Sequence, residues 1–372
     1  MLIVAEIGTS HEGSEEKAKK LIDTAFSSGA DAVKFQWVYA DEILHPKTGF
    51  VDLPGGKISL YERFKSLECS DDFFLKMKEY AHSKNLKFIC SPFGLKSLEK
   101  LVKIEPDYIK IASPELNHFP LLKHLAEFRE NQKKSGKEMS PVIISSGVSK
   151  LSDIEKAIEI LGRQNIFLLH CVTSYPALET EYNLNVISNL KNIFGIPVGV
   201  SDHSMDAVLV PSLSVASGAQ IIEKHITLSR ESSGLDDKVA LDGEMFSLMV
   251  HCVRQSAACM KRYGLEKGKS QIISQLSSSY GKEKVLEVLG SGVKFLSDGE
   301  KDNYGRTNRS LHFMKDIPSG SKIGFDDVKV LRTEKILSPG ISPEFYETVI
   351  GKILVKDAKD GEGVTFSHFF KE

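Results

Sequence analysis

The sequence contains no Cys-x-x-Cys pair, and its five cysteines are an odd number, with Cys90 and Cys171 lying inside apolar runs. That argues against a zinc ribbon or a disulfide framework and points to free thiols in a reducing compartment. Nowhere do about eighteen apolar residues run together, so no membrane-spanning helix is expected. The opening "MLIVAEIG" lacks the basic stretch of a secretory leader, and a cytoplasmic location is expected. Neither sign of charge dominates: 48 Lys and Arg stand against 50 Asp and Glu, a net charge of −2. The chain therefore has no global electrostatic reason to bind nucleic acid or an anionic membrane. No Gly-x-Gly-x-x-Gly follows the first apolar run, which weakens a dinucleotide-binding reading. No internal repeat or low-complexity tract is evident.

What is present is an alternation. In 372 residues, 41 % hydrophobic and 26 % charged, there is material for one large domain and a small one. Strand-length apolar runs occur at 2–6, 31–36, 87–91, 108–112, 141–146, 166–171, 196–201 and 219–225. Between them lie helical patterns such as 15–29, 152–162 and 243–264, with apolar residues three and four apart. Nearly continuous apolar strands are buried on both faces, which means parallel strands covered by helices. Eight such units predict a closed (β/α)8 barrel over 1–263, with an open doubly wound sheet as the alternative. A polar segment at 264–304 reads as a linker. From Gly305 to residue 372 short strand-like runs and turn signals predict a compact β-rich module.

In such a barrel chemistry gathers at the C-terminal ends of the strands. Polar residues occur there on every predicted strand, among them Glu6, Lys34, Gln36, Ser91, Lys110, Ser113, Glu115, Ser145, Thr173, Tyr175, Ser201, Asp202, His203, Lys224 and His225. His203 and His225, on neighbouring strands, either pack as hydrogen-bonded core residues or converge as two imidazole ligands of a divalent metal. Lys34 and Lys110 are costly inside apolar strands unless they meet counter-charge. With the nearby hydroxyls they describe a pocket for a phosphate- or carboxylate-bearing anion. Two other readings stay open: snorkelling at a strand edge, and a lysine of lowered pKa that forms a Schiff base. Glu6 and Glu115 either orient water and substrate hydroxyls or neutralise the two lysines. The stretch "GTSHEG" (8–13) reads as a turn entering a helix.

The ordered set "AEIGTSHEG", "DAVKFQ", "YIKIASPEL", "IISSGVS", "LLHCVTSYP", "VGVSDHS" and "IIEKHITL" resembles the sialic acid synthases over nearly the whole chain. The module from Gly305, with "NRSL" at 308–311, resembles that family's antifreeze-like (SAF) domain. The resemblance implies a synthase that condenses phosphoenolpyruvate with an N-acylated mannosamine-type sugar, giving a nine-carbon 2-keto acid and phosphate. It implies His203 and His225 as ligands of a divalent metal, manganese in most members, with magnesium or cobalt as substitutes. Lys34, Ser91, Lys110, Ser113, Ser145, Thr173 and Ser201 match the phosphoenolpyruvate pocket. Gln36, Tyr175, Asp202 and Asp236 fall where the sugar or metal-bound water is met, with Asp202 counted among the catalytic acids. Glu6 and Glu115 match the acids near the reacting atoms. Arg309 matches an arginine that the small domain inserts into a partner's active site, which implies a domain-swapped homodimer. Ser10 stands where asparagine is usual, Thr173 where some members have asparagine, and residues 127–140 lengthen one connection. A Schiff-base pyruvate aldolase and a non-catalytic sugar- or ice-binding protein are the rival expectations.

Overall fold

The computed structural model describes residues 1–53 and 56–370. Eight parallel strands close into a barrel: β1 (Leu2–Gly8), β2 (Ala32–Trp37), β3 (Lys87–Pro92), β4 (Tyr108–Ile111), β5 (Val142–Ser145), β6 (Ile166–Cys171), β7 (Val198–Asp202) and β8 (Ile221–His225). Each pairs with the next, and β8 returns to β1 in the register Leu2↔Ile221 through Glu6↔His225. The closure excludes the open sheet. All eight predicted runs are the eight staves, because each is apolar enough to be buried on both faces.

The period of two along each strand sorts residues into layers. Val4, Ala32, Ile89, Ile143, Leu169 and Ile221 form a closed apolar floor inside the barrel. Two residues further on, the same inner face carries Glu6, Lys34, Ser91, Ser145, Cys171 and Glu223. Two further still come Gly8, Gln36, Phe93, Gly147, Thr173 and His225. The lumen thus changes from oil to charge within one step of the pleat. Gly199 is required at floor level, since a Cβ there would strike the Ile221 carbonyl and Leu169.

Outward-facing positions pack on the helices in one large apolar cluster, which includes Ile3, Phe35, Phe88, Leu213 and Phe246. The helix Glu15–Ser27 begins where Ser14 Oγ accepts the Lys17 N–H at 3.2 Å, as the "GTSHEG" turn predicts.

The stretch 264–304, expected as a linker, is largely helical. A single long helical element, Gly243–Tyr280, is broken at Gly264, whose φ of +77° only glycine adopts freely. Beyond the break Ile272 and Leu276 bury against the barrel, and the helix Lys282–Leu289 adds Val285, Val288 and Leu289. The short helix Asp298–Lys301 then brings the chain to the barrel mouth.

The small module pairs β9 (Arg309–Phe313) antiparallel with β10 (Val328–Arg332) around its own core of Leu311, Phe313, Ile323, Val328, Leu354 and Val364. It is seated on the mouth of the same chain's barrel. His45 Nε2 meets Asp360 Oδ1 at 3.0 Å, and Thr48 Oγ1 donates to the Thr333 carbonyl at 2.9 Å. Among the described residues no helix is long and apolar enough to cross a membrane.

Candidate active site at the barrel mouth

Above the apolar floor lies a buried charge cluster centred on Glu223. Its Oε1 is 3.3 Å from Lys34 Nζ and 3.8 Å from Lys110 Nζ, and it accepts the Ser201 hydroxyl at 2.9 Å. Lys34 also pairs with Glu6 at 3.2 Å, and Glu6 Oε1 accepts the Gln36 amide at 2.8 Å. Lys110 donates to Ser145 Oγ at 2.6 Å. Ser91 Oγ is buried with no hydrogen-bond partner in the protein, as a group waiting for a ligand would be. Nothing in the sequence reading singled out Glu223. Its signal was the same period of two that places His225, because both stand on the inner face of β8.

The cluster sets its own protonation. Burial lifts the Glu6 carboxyl to about 7, with Glu223 adding to the lift against Lys34 and Gln36. Burial would lift Glu223 too, but Lys110 and Lys34 outweigh it and hold that carboxyl at about 2. Burial, helped by Lys34 and opposed by Glu223, lowers the Lys110 ammonium to about 8. Lys34 moves upward, since Glu223 and Glu6 overcome its burial.

One layer higher, the His203 and His225 rings lie side by side, tilted by 49° with centroids 5.5 Å apart. His203 Nδ1 donates to the Val172 carbonyl at 2.9 Å, which leaves Nε2 as the nitrogen that could meet a metal. That Nε2 is 3.3 Å from the Tyr175 hydroxyl, and the Tyr175 ring stacks on the imidazole at 4.3 Å. Burial, then His203 and Lys34, hold His225 well below the ordinary histidine value and keep it neutral. Burial would lower His203 as well, but Cys171 and the Val172 carbonyl outweigh it and raise that imidazole to about 9. A divalent cation would therefore have to displace the His203 proton, after which two imidazoles at this separation fit such an ion. Among the described residues no three His, Cys, Asp or Glu side chains converge, so water or substrate oxygens would complete its sphere.

The remaining predicted residues divide. Ser113 Oγ accepts the Gly147 N–H at 3.0 Å, and a Cβ on Gly147 would collide with Thr173 Oγ1 and Ser113. Those two loops are therefore packed backbone to hydroxyl beside the cluster. Thr173, Tyr175, Gln36 and Asp236 line a cavity of about 350 Å³ over the mouth, with Phe93 and Arg332. Asp202 does not join them. It lies on the outer face of β7, between the inward Ser201 and His203, and its Oδ2 takes the Lys224 ammonium at 2.6 Å. Strand alternation turns that pair away from the lumen.

Glu115 neutralises arginines and not the lysines. Fully buried, its Oε1 accepts from Arg309 at 2.9 Å and from Arg332 at 2.8 Å. Arg309, expected in a partner's site, is spent within its own chain, on Glu115 and on the carbonyls of Phe93 (2.7 Å) and Glu42 (2.5 Å). Arg332 is the guanidinium that borders the cavity. No sequence signal distinguished it, because β10 and Glu115 meet only through the docking of the small module.

With this geometry in place, comparison with known proteins is direct. Residues 21–263 match the NeuB family and residues 308–369 the SAF domain. The N,N'-diacetyllegionaminic acid synthase of Campylobacter jejuni is 32 % identical, covering 97 % of this chain and 98 % of the relative. The spore coat polysaccharide biosynthesis protein SpsE of Bacillus subtilis has a solved structure that superposes with a TM-score of 0.79 at 29 % identity, covering 100 % of this chain and 95 % of that one. The N-acetylneuraminic acid synthetase of Leptospira borgpetersenii superposes with a TM-score of 0.61 at 32 % identity, over 75 % of this chain and 92 % of that one. With the barrel matched over residues 21–263 and relatives aligned along nearly its whole length, the chain belongs to the NeuB family.

Proposed function

We propose that this chain is a metal-dependent synthase that joins phosphoenolpyruvate to an N-acylated mannosamine-type sugar, releasing phosphate and a nine-carbon 2-keto acid. The observation that carries the reading is the stacking of layers: the Lys34–Glu223–Lys110 cluster lies one pleat below the paired imidazoles of His203 and His225. An anion cradle and an electrophile site are thereby held in one lumen. Names of relatives support the reaction class, among them legionaminic, pseudaminic and N-acetylneuraminate-9-phosphate synthases.

In this reading Lys34 and Lys110 meet the phosphate and carboxylate of phosphoenolpyruvate, with Ser91, Ser113, Ser145, Thr173 and Ser201 supplying hydroxyls. Gln36, Tyr175, Asp236 and Arg332 hold the sugar in the cavity above. A divalent cation, with manganese the first choice, would supply Lewis-acid polarisation of the sugar aldehyde. Carbon 3 of phosphoenolpyruvate bonds to the aldehyde carbon, water adds at carbon 2, and phosphate leaves with cleavage of its C–O bond. Glu6, poised near neutrality, can take the proton of the incoming water. The lysines balance the anionic charge throughout.

We place the reaction in the cytoplasm, in keeping with five free thiols. We also propose a homodimer. Exchange of the SAF module between two copies would remake in trans the contacts that Arg309 and Arg332 form here within one chain.

The deciding experiment supplies phosphoenolpyruvate, manganese and a panel of N-acetylmannosamine, its 6-phosphate and 2,4-diacetamido sugars. Phosphate and a keto acid heavier than the acceptor by one pyruvic acid are expected with at least one acceptor, and EDTA should stop turnover. No phosphate release with any acceptor would overturn the reading. One feature favours a second reading: Lys110, buried and lowered to about 8, is the kind of lysine a Schiff-base mechanism uses. Borohydride trapping with pyruvate separates the two, since the synthase yields no adduct on Lys110.

A further inference from the structure

A buried carboxylate outside the lumen is bonded to two of the loops that form it. Glu300 belongs to the short helix Asp298–Lys301, on the segment leading into the small module, and is 1 % exposed. Its Oε1 accepts the Val148 N–H at 2.6 Å and the Thr173 N–H at 2.9 Å, while Oε2 accepts the Ser297 N–H at 3.1 Å. The first two donors lie on the loops after β5 and β6, 152 and 127 positions away in sequence.

The Val148 end of this contact is informative. Its φ is +42°, a left-handed conformation that a β-branched residue adopts only when its surroundings impose it. Both polar groups of Val148 are held from outside the barrel: the N–H by Glu300 on the connecting segment, and the carbonyl by Asn308 Nδ2 of the small module at 2.9 Å. The preceding residue, Gly147, donates to Ser113 Oγ and packs against Thr173 Oγ1. One carboxylate oxygen that receives N–H groups from both loops fixes their spacing with charge-assisted bonds, which a neutral cap would do less strongly.

We infer that Glu300 is a positioning residue for the phosphoenolpyruvate end of the mouth: it holds the Gly147–Val148 and Thr173 loops in register and makes that register depend on the segment that carries the small module. The inference rests on the synthase reading for its substrate, though not for its geometry. It weighs on the two substrates unequally: of the sugar-side groups Tyr175 shares the Thr173 loop, while Gln36, Asp236 and Arg332 hang on other elements.

The test uses the full-length protein and the variants Glu300→Ala and Glu300→Gln. Glu181→Gln serves as control, because Glu181 touches the same helix, accepting the Gly299 N–H at 3.3 Å, and neither loop amide. Glu300→Ala should raise the KM for phosphoenolpyruvate about tenfold. The acceptor KM should rise less, by about threefold at most, since only Tyr175 among its contacts sits on a disturbed loop. Glu300→Gln, which keeps one acceptor oxygen, should fall between and decides the matter if the alanine variant does not fold. The control should keep the wild-type value. Hydrogen–deuterium exchange should quicken in peptides covering 146–150 and 172–175 in both Glu300 variants. An unchanged phosphoenolpyruvate KM, or an equal rise for both substrates, would overturn the inference. If the wild type turns over no phosphoenolpyruvate, the synthase reading fails and exchange decides alone. Loop amides as protected as in the wild type would then sink the positioning role.

Discussion

Arg332 reaches Glu115 across 217 positions of sequence and sets its Nη2 2.8 Å from the carboxylate. It shares that oxygen with Arg309, yet only Arg332 borders the cavity. The two arginines should therefore fail differently. Arg309→Ala leaves buried carbonyls and Glu115 underpaired and should cost about 3–5 kcal/mol of stability, read by chemical unfolding. Arg332→Ala should raise the acceptor KM about tenfold, with a smaller loss of stability.

The Lys110 ammonium, lowered to about 8, sets an alkaline limit on anion binding. Above that pH the free protein must take up a proton to bind the anion, so affinity for phosphoenolpyruvate should fall about tenfold per pH unit. Titration calorimetry from pH 6.5 to 9.5 measures this. Lys110→Arg, which keeps its charge, should flatten the limb even if it binds more weakly.

Glu223 holds Lys34 and Lys110 together, and Glu223→Gln should have two effects. Loss of a carboxylate from the buried network should cost about 3 kcal/mol. The alkaline limb of phosphoenolpyruvate binding should also move to lower pH, because Glu223 is what raises Lys110 against its burial. A limb that stays in place would separate Glu223 from Lys110 electrostatically.

Acid stability carries a sign that can be checked. Glu223, held at about 2 against an ordinary 4.5, contributes stability that is full above pH 4.5 and is lost as pH falls toward 2. Glu6, lifted to about 7, acts in the opposite sense and weakens the fold as pH rises from 4.5 to 7. Unfolding free energies of Glu6→Gln should therefore exceed those of the wild type at pH 8 and converge with them near pH 4.

Metal binding is measurable without turnover. Manganese titrated into the protein after EDTA treatment should bind at one site, and His203→Ala and His225→Ala should each weaken it by at least about tenfold. Weakening in neither variant would place the ion elsewhere.

Much of this site could be read from the residues alone, for a definite reason. A strand buried on both faces must be apolar, so Lys34, Lys110, His203 and His225 stood out as costly exceptions. The face that each exception occupies was harder to assign. Asp202 ends β7 and His203 follows it, but the pleat sends one outward to Lys224 and the other into the mouth. Glu223 was passed over for its neighbours Lys224 and His225, though it and His225 share the inner face. Arg332 and Glu300 carried no local signal at all. Their partners, Glu115, Val148 and Thr173, are over a hundred residues away.

By itself, the sequence determined the number of staves, their order and the apolar floor, because these follow from hydrophobic period and segment length, which are local properties. Tertiary structure alone decided which carboxylate meets which cation. Pair energies in a water-poor lumen depend on separations of a few ångströms between groups from different strands. Those separations come from barrel closure and from the docking of the small module, and no stretch of chain encodes them on its own.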